Sequence, residues 1–539
     1  MKKFLALLLV TALALGISSS VLAEKKYGFE GYDPGITLTF IKRVDNNLVN
    51  LMDATTAVSG ETFEDNRYLD LWRDELGITV KYEWIAAGED ATTKRAMAIT
   101  SGELPDVFFV DKSSAMLADL VENNVIWDMT EIYDEYASDL LKSLISYGGS
   151  TAALDSVSVN NRLYAIPNVL PSYDQCEYMW IRQDWLDNLN LSAPTTYEEL
   201  LKVAEAFTTQ DPDGNGINDT WGYSSTLNAG PVYNGMGFNW GCHAYKGSWI
   251  ELEDGTIGYG SVQPAMLESL KLQRTIIENG WTYPEYATEG CINQFKQGKI
   301  GIVFSQASFP VAYSAVYSNI PEDAHMTAFP LISIDGEPVY SVLGVEVFGN
   351  ANALAVNKKC EHPEAVVLMF NVLAEAMWGE NNDYMYYYAG AAPSGNEYNI
   401  SDVVLLANNF NIIAYNEIWE AVANGTTDQL TGSAASYYDN MLHSNRCWVD
   451  YISNEWSGNK VLTEKYDPEH LYFFSAYNGA PTETQMERQS MLNDLENSTF
   501  AKILLGELDP DEGFAQFVEE WYRLGGEDIT REINEAVGK

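Results

Sequence analysis

From position 36 the apolar residues alternate between strand and helix rhythms. Ile36 to Ile41 is a short apolar run that reads as a strand. Asn66 to Leu76 places Tyr68, Leu69, Trp72 and Leu76 on one helical face, and Gly77 is positioned to stop the helix. Ile78 to Ile85 alternates as Ile78, Val80, Tyr82 and Trp84, the period of a half-buried strand. Ala91 to Ser101 predicts a second helix, and Val107 to Val110 a short buried strand. Strand, helix, strand, helix, strand is the opening of a parallel α/β lobe. Asp111 closes the third strand, and ligands of open α/β sheets sit beyond the carboxyl ends of strands.

Residues 112–145 read as helical, with Met116, Leu117, Leu120 and Val121 in period. Trp180 to Leu191 begins with apolar–polar alternation. A helix then follows Pro194. Thr195 and Glu198 have capping-box spacing, and Leu200, Leu201, Ala204 and Phe207 form one apolar face. Directly after it comes Asp211-Pro-Asp-Gly-Asn-Gly-Ile-Asn-Asp219. Asp211, Asp213 and Asn215 offer oxygens at loop positions one, three and five, with Gly216 at the sharp turn. Ile217 would give its carbonyl, and Asp219 a carboxylate or a bridging water. The expectation is a structural Ca²⁺ loop. Position twelve is Gly222 rather than a bidentate Glu, so a ligand is missing, and a metal-free Asx turn is the alternative.

The run IRQDWLDNLNL-x-x-PTTYEEL resembles the Arg-x-Asp-Trp-Leu…Pro-Thr-Thr-x-x-Glu signature of extracellular solute-binding proteins of carbohydrate ABC importers, family 1. Similar matches occur in order along the chain: SGELPDVFFVD (101–111), LYAIPNV (163–169), FKQGKIGIVF (295–304), KKCEHPEAVVLMFNVL (358–373) and WYRLGGEDITREINE (521–535). The resemblance implies a two-lobed periplasmic-binding-protein-like α/β fold (type II), with the ligand cleft between lobes joined by hinge crossings. It implies a first lobe over 30–167 plus 350–392. The second lobe, with the calcium loop, would cover 170–340 plus 393–539. It also implies an oligosaccharide or modified-sugar ligand, ABC permease transmembrane subunits as partners, a monomer, and no reaction performed on the ligand.

Charge and composition narrow the picture. The chain has 77 acidic and 31 basic residues, a formal charge of −46, which repels nucleic acid and polyanions. No nucleic-acid partner is expected, and the ligand is expected to be neutral, although Arg182 and Arg446 are candidate contacts for an acidic sugar. The 33 Tyr and 14 Trp supply flat apolar faces suited to sugar rings. Lys2 and Lys3 precede an apolar run from Phe4 to Ile17 and a Val21-Leu22-Ala23 ending. Residues 1–23 therefore read as a secretory signal peptide cleaved after Ala23. Glu24 stands where a lipid-anchor cysteine would, so periplasmic or extracellular release without a lipid anchor is expected. Five scattered cysteines form no CxxC motif and leave the disulfide state open.

Recognised catalytic spacings are missing: the sequence contains no HExxH, GxSxG or GxxxxGK[ST]. Gly235, Gly237 and Gly241 miss the GxGxxG spacing and read as a ligand-side loop or a turn. Two-lobed geometry nominates Trp84, Asp111, Tyr173, Asp174, Trp240, Gln306, Phe309, Trp378 and Tyr386 as ligand-binding candidates. Aromatic faces would stack on rings, and polar groups would bond hydroxyls. A secreted calcium-stabilised glycosidase or polysaccharide lyase is the alternative, because a catalytic carboxylate pair leaves no mark in spacing. A sensory protein presenting a sugar to a membrane receptor would share the fold.

Overall fold

Two separate β-sheets, each with its own hydrophobic core, organise the computed structural model. It describes residues 26–146, 149–225, 236–344, 352–388, 397–407, 409–443 and 446–539; the expected signal peptide lies outside them. The first lobe opens with β1 (Ile36–Val44), α1 (Asn46–Ser59), α2 (Arg67–Leu76), β2 (Ile78–Ala87), α3 (Gly88–Ser101), β3 (Val107–Asp111), α4 (Ala115–Glu122) and β4 (Ala165–Pro167). Asn66 caps α2 by accepting from the amides of Tyr68 and Leu69, and Gly77 ends it at φ 69°, as the pattern predicted. α1 was not predicted. Only Met52 and Thr55 of it are buried, so its apolar face is too thin to register, and Asp45 and Gly60 cap it. Residues 112–145, read as helical, form three short helices.

β1 runs parallel to β2 and β3, and the sheet is completed by two antiparallel neighbours, Asn352–Val356 and β4, in the order β2, β1, β3, 352–356, β4. The second lobe holds β5 (Glu177–Arg182), α5 (Tyr197–Thr209), β6 (Trp221–Tyr223), β7 (Ile300–Gln306) and β8 (Met326–Phe329). Its sheet has the order β8, β5, β7, β6. The alternation expected from Trp180 is replaced by burial on both faces of β5: Tyr178 through Arg182 are all buried, as a central strand covered on both sides requires. The cap of α5 is shifted by one residue. Thr196 accepts from Glu199 N, and Glu199 reaches back to Thr195, so Glu199 and not Glu198 closes the box.

The chain passes between lobes through β4 and back through β9 (Ser341–Leu343) into β10 (Asn352–Val356). The two passages are stitched together. Gln175 bonds Gly344 with both ends of its amide, at 2.8 and 2.9 Å, and Asn168 Nδ2 donates to Asn352 Oδ1 at 2.8 Å. The core of the first lobe includes α6 (Glu364–Trp378) and extends through Ile400, Val403 to Ala407 and Phe410. That places Ile400, Val403 to Ala407 and Phe410 with the first core rather than with the second lobe. Within α7 (Phe410–Asn424), the buried apolar residues from Ile412 to Ile418 join the second core. That core extends to β11 (Tyr472–Phe474), parallel to β9, and to α8 (Glu483–Leu504), α9 (Pro510–Trp521) and α10 (Glu527–Ala536). No disulfide joins the five cysteines, all of which are buried.

Candidate functional site

The lobes face each other beyond the carboxyl end of β3. The turn after Asp111 carries Ser113 at φ 49° and Ser114, which caps α4 by accepting from Leu117 N. Ser113 Oγ donates across the lobe boundary to the Asn478 carbonyl at 2.5 Å. Beside this contact lies a groove of about 680 Å³. Ala115 is its lining residue from the first lobe among the described residues. The opposite wall is built by Lys246, Gly247 and Trp249, by Pro481, and by one face of α8. This volume is in the range of small-molecule sites.

The α8 wall has a definite chemistry. Gln485, Gln489, Asn493 and Asn497 recur every fourth residue, so they form one strip along the helix. Gln485 is also the N3 residue of a complete capping box with Thr482, which fixes the start of the strip. Gln489 Nε2 donates to Asn493 Oδ1 at 2.8 Å. A carboxamide offers donors and an acceptor together, which matches the two-way bonding of a hydroxyl. The charges in the wall are satisfied: Lys246 Nζ lies 3.0 Å from Glu496 Oε1, and Tyr259 OH donates to Glu496 Oε2 at 3.0 Å. The Tyr259 ring stacks on Trp521 at 5.0 Å and contacts Trp249 at 5.1 Å, so an aromatic layer backs the groove. The strip was legible as a four-residue repeat, but nothing in the sequence pointed it at Ala115.

The nine candidates from sequence do not converge there. Asp111 is half-exposed at the end of β3, where Arg95 Nη2 lies at 2.8 Å and Arg43 at 4.0 Å. Gln306 is half-buried at the end of β7, and its carbonyl accepts from Trp180 Nε1 at 3.2 Å. Tyr173 is buried against Tyr472, ring centres 4.5 Å apart. Asp174 is buried and accepts from Asn411 Nδ2 at 2.6 Å; burial pushes its carboxyl up to about 7. Trp240 and Phe309 are packed in the second-lobe core. Gly237 and Gly241 are small for packing: a Cβ there would sit 2.7 Å from Leu331 Cδ2 and 2.3 Å from the Ile332 carbonyl. Trp84 and Trp378 lie partly buried on the first-lobe core, with Trp378 Nε1 bonded to the Leu405 carbonyl at 2.9 Å. Tyr386 is exposed and stacks over Arg67. Arg182 is committed to Asp184 and the Gly298 carbonyl, and Arg446 to carbonyls of the 317–324 turn.

The loop after α5 folds on itself. Asp211 accepts from the amides of Asn215 and Gly216 at 3.1 and 3.0 Å, and Asn215 Nδ2 donates to Asp213 at 2.7 Å and to Asp219 at 3.3 Å. Gly214 and Gly216 take φ 65° and 80°. Burial raises the Asp213 carboxyl, with neighbouring Asp211 and Asp219 adding to the rise. Lys299 bonds Asp219 and lowers its carboxyl. Among the described residues no three Asp, Glu, His or Cys groups converge as a formed metal cluster. The oxygen-only donor set nevertheless fits a hard cation, with Lys299 as a competitor at one corner. Gly222 explains the missing twelfth ligand: a Cβ there would lie 2.0 Å from the Ala204 carbonyl, so no glutamate fits.

Two sheets in separate lobes joined by paired crossings, with a groove between them, define a two-lobed α/β binding-protein fold. Residues 64–380, more than half of the chain, match the family model described as bacterial extracellular solute-binding protein, and the chain belongs to that family. It is 30% identical over 183 residues to the fructooligosaccharide ABC transporter substrate-binding protein FusA of Streptococcus pneumoniae, covering 32% of this chain and 33% of that one. It is 26% identical over 239 residues to the polygalacturonan/rhamnogalacturonan-binding protein YtcQ of Bacillus subtilis, covering 43% and 44%. The alignments thus span less than half the length of either relative. The fold matches S. pneumoniae FusA in complex with kestose at TM-score 0.54 and 18% identity, over 93% of this chain and 98% of that one. It also matches alginate-binding protein AlgQ2 without calcium ion at TM-score 0.56 and 14% identity, over 94% and 99%. It also matches a FusA EF-hand mutant in complex with fructo-nystose at TM-score 0.55 and 17% identity, over 93% and 98%. Among the described residues no helix is long and apolar enough to cross a membrane.

Proposed function

We propose that this protein captures a neutral oligosaccharide between its lobes and delivers it to the transmembrane subunits of an ABC importer. The observation that carries this reading is the groove itself: a carboxamide strip on α8, backed by aromatic rings, on the second lobe where Ala115 of the first lobe meets it. The fructooligosaccharide and polygalacturonan/rhamnogalacturonan named for its relatives support a glycan ligand. Lobe closure would bury the sugar by rigid-body motion at the stitched crossings.

Binding without chemistry is the favoured reading. Hydrolysis of a glycosidic bond needs two carboxylates flanking it. Glu496, the carboxylate lining this groove among the described residues, is held by Lys246 and Tyr259. Ca²⁺ would be held by Asp211, Asp213, Asn215, the Ile217 carbonyl and Asp219, where it would neutralise crowded carboxylates and stiffen the end of α5. Export would be as a monomer released after Ala23 without a lipid anchor, even though one relative is named lipoprotein LipO. A thermal-shift screen against a glycan panel tests the main proposal. A bound sugar raises the melting temperature by mass action, whereas an unmoved melting temperature across the panel would contradict it.

A further inference from the structure

A second, larger groove of about 1070 Å³ abuts the first. Pro481 lines both, and so does α4, through Ala115 on one side and Ala118 one turn later on the other. Unlike the first groove, which takes only Ala115 from the first lobe among the described residues, it has a wall from each lobe. Its first-lobe wall carries Asp155 and the turn residues Asn160 and Asn161; its second-lobe wall carries Tyr477, Glu483 and Arg531 with Glu535. Asn160 and Asn161 sit at φ 52° and 59°, the paired left-handed conformation of a tight hairpin turn, and both are exposed.

From these two grooves we infer that the ligand is a chain long enough to cross the Pro481 ridge, and that the second groove selects for neutral sugars. The inference rests on the oligosaccharide reading above. Pro481 stands between a carboxamide-lined groove and a neighbouring groove whose charge is mainly negative. In the second compartment Asp155, Glu483, Glu532 and Glu535 stand against Arg531, and Arg531 is already shared between Asp528 at 3.0 Å and Glu535 at 3.3 Å. Neutral hydroxyls donate to carboxylates and amides there, while the carboxylates of a uronate chain would meet like charge. The ends of a long chain would contact both lobes on both sides of the ridge, so added residues should add affinity until both compartments are filled.

Calorimetric titration of the full-length mature protein with malto-, xylo- and fructo-oligosaccharides, from disaccharide to heptasaccharide, and with oligogalacturonates tests this. Affinity for one neutral series should rise with chain length. The double variant Asn160→Gly/Asn161→Gly tolerates the left-handed turn. It should weaken the long chains about three- to tenfold and leave the short ones unchanged. Gln489→Ala should weaken both. Asp155→Asn/Glu535→Gln should raise affinity for oligogalacturonate. If neutral glycans bind with affinity independent of length, or the Asn160/Asn161 variant weakens short and long chains equally, the two-compartment inference falls while the binding function stands. If no glycan of any length binds, the function and the inference fall together.

Discussion

Asn411 at the start of α7 donates its Nδ2 to Asp174 Oδ2 at 2.6 Å, joining the first crossing to the segment that returns the chain to the second lobe. Tyr437 OH donates to Asn411 Oδ1 at 2.9 Å and extends the chain of bonds. Cys176, Tyr388, Tyr398, Tyr437 and Tyr451 lie within the electrostatic reach of this carboxyl. Burial raises it from 3.8 to about 7, and the hydrogen bond from Asn411 offsets only part of that rise.

The stability of the wild type should therefore depend on pH through Asp174. Between pH 3.8 and about 7 the folded state holds a proton that the unfolded state has released. Stability from this group is thus greatest at the acidic end and declines as pH rises through that window. Asp174→Asn removes the titration. Melting temperatures across the window should show the wild type losing ground to the variant as pH rises; a constant difference would contradict the assignment. Glu177, also raised to about 7 by burial, titrates in both proteins and cancels in the comparison.

Chelation should lower the melting temperature, and added Ca²⁺ should restore it. At a free concentration about a hundred times the dissociation constant, the ion stabilises the fold by roughly 2.7 kcal/mol. Mg²⁺ should substitute poorly because it prefers a tight octahedral shell. Asp213→Asn should abolish the calcium response. A melting curve indifferent to chelator, with no calcium by elemental analysis, would leave the loop as a polar turn.

Completing the loop toward an EF-hand should fail. Gly222→Glu would drive a side chain against the Ala204 carbonyl of α5, which a Cβ alone approaches to 2.0 Å. The expected outcome is a lower melting temperature and no gain in calcium affinity. A variant of undiminished stability with tighter calcium binding, measured by titration, would overturn the packing argument.

Trp240→Ala should cost about 3–5 kcal/mol of stability, as large-to-small changes in a packed core do. The residue is 3% exposed, and its cost should appear in denaturant unfolding. Glycan affinity of the folded fraction should be unchanged. Lost affinity at preserved stability would return Trp240 to the ligand site.

The first lobe was legible because its signals are local. Asn66, Gly77 and the Tyr82–Trp84 alternation each act within a few residues. α1 was hidden by a helix that buries little, and β5 by burial on both faces, which removes the alternation. The capping box of α5 slipped by one because Thr195 and Thr196 both suit the position. The groove was hidden for another reason: Lys246 meets Pro481 and Gln489, far from it in sequence, only in the folded second lobe, and Ala115 joins them only where the two lobes face each other. Trp240, flanked by glycines, looked like a ligand-side ring. Those glycines instead let the chain pass close to Leu331 and Ile332.

The central claim is that a glycan binds between the lobes and leaves unchanged. Isothermal titration with the neutral glycan that gives the largest thermal shift, followed by mass analysis of the recovered sugar, tests it most directly. The account predicts saturable one-to-one binding, weakened by Gln489→Ala, with the glycan recovered intact. Cleaved or eliminated product in the recovered sugar, or binding untouched by Gln489→Ala, would contradict it.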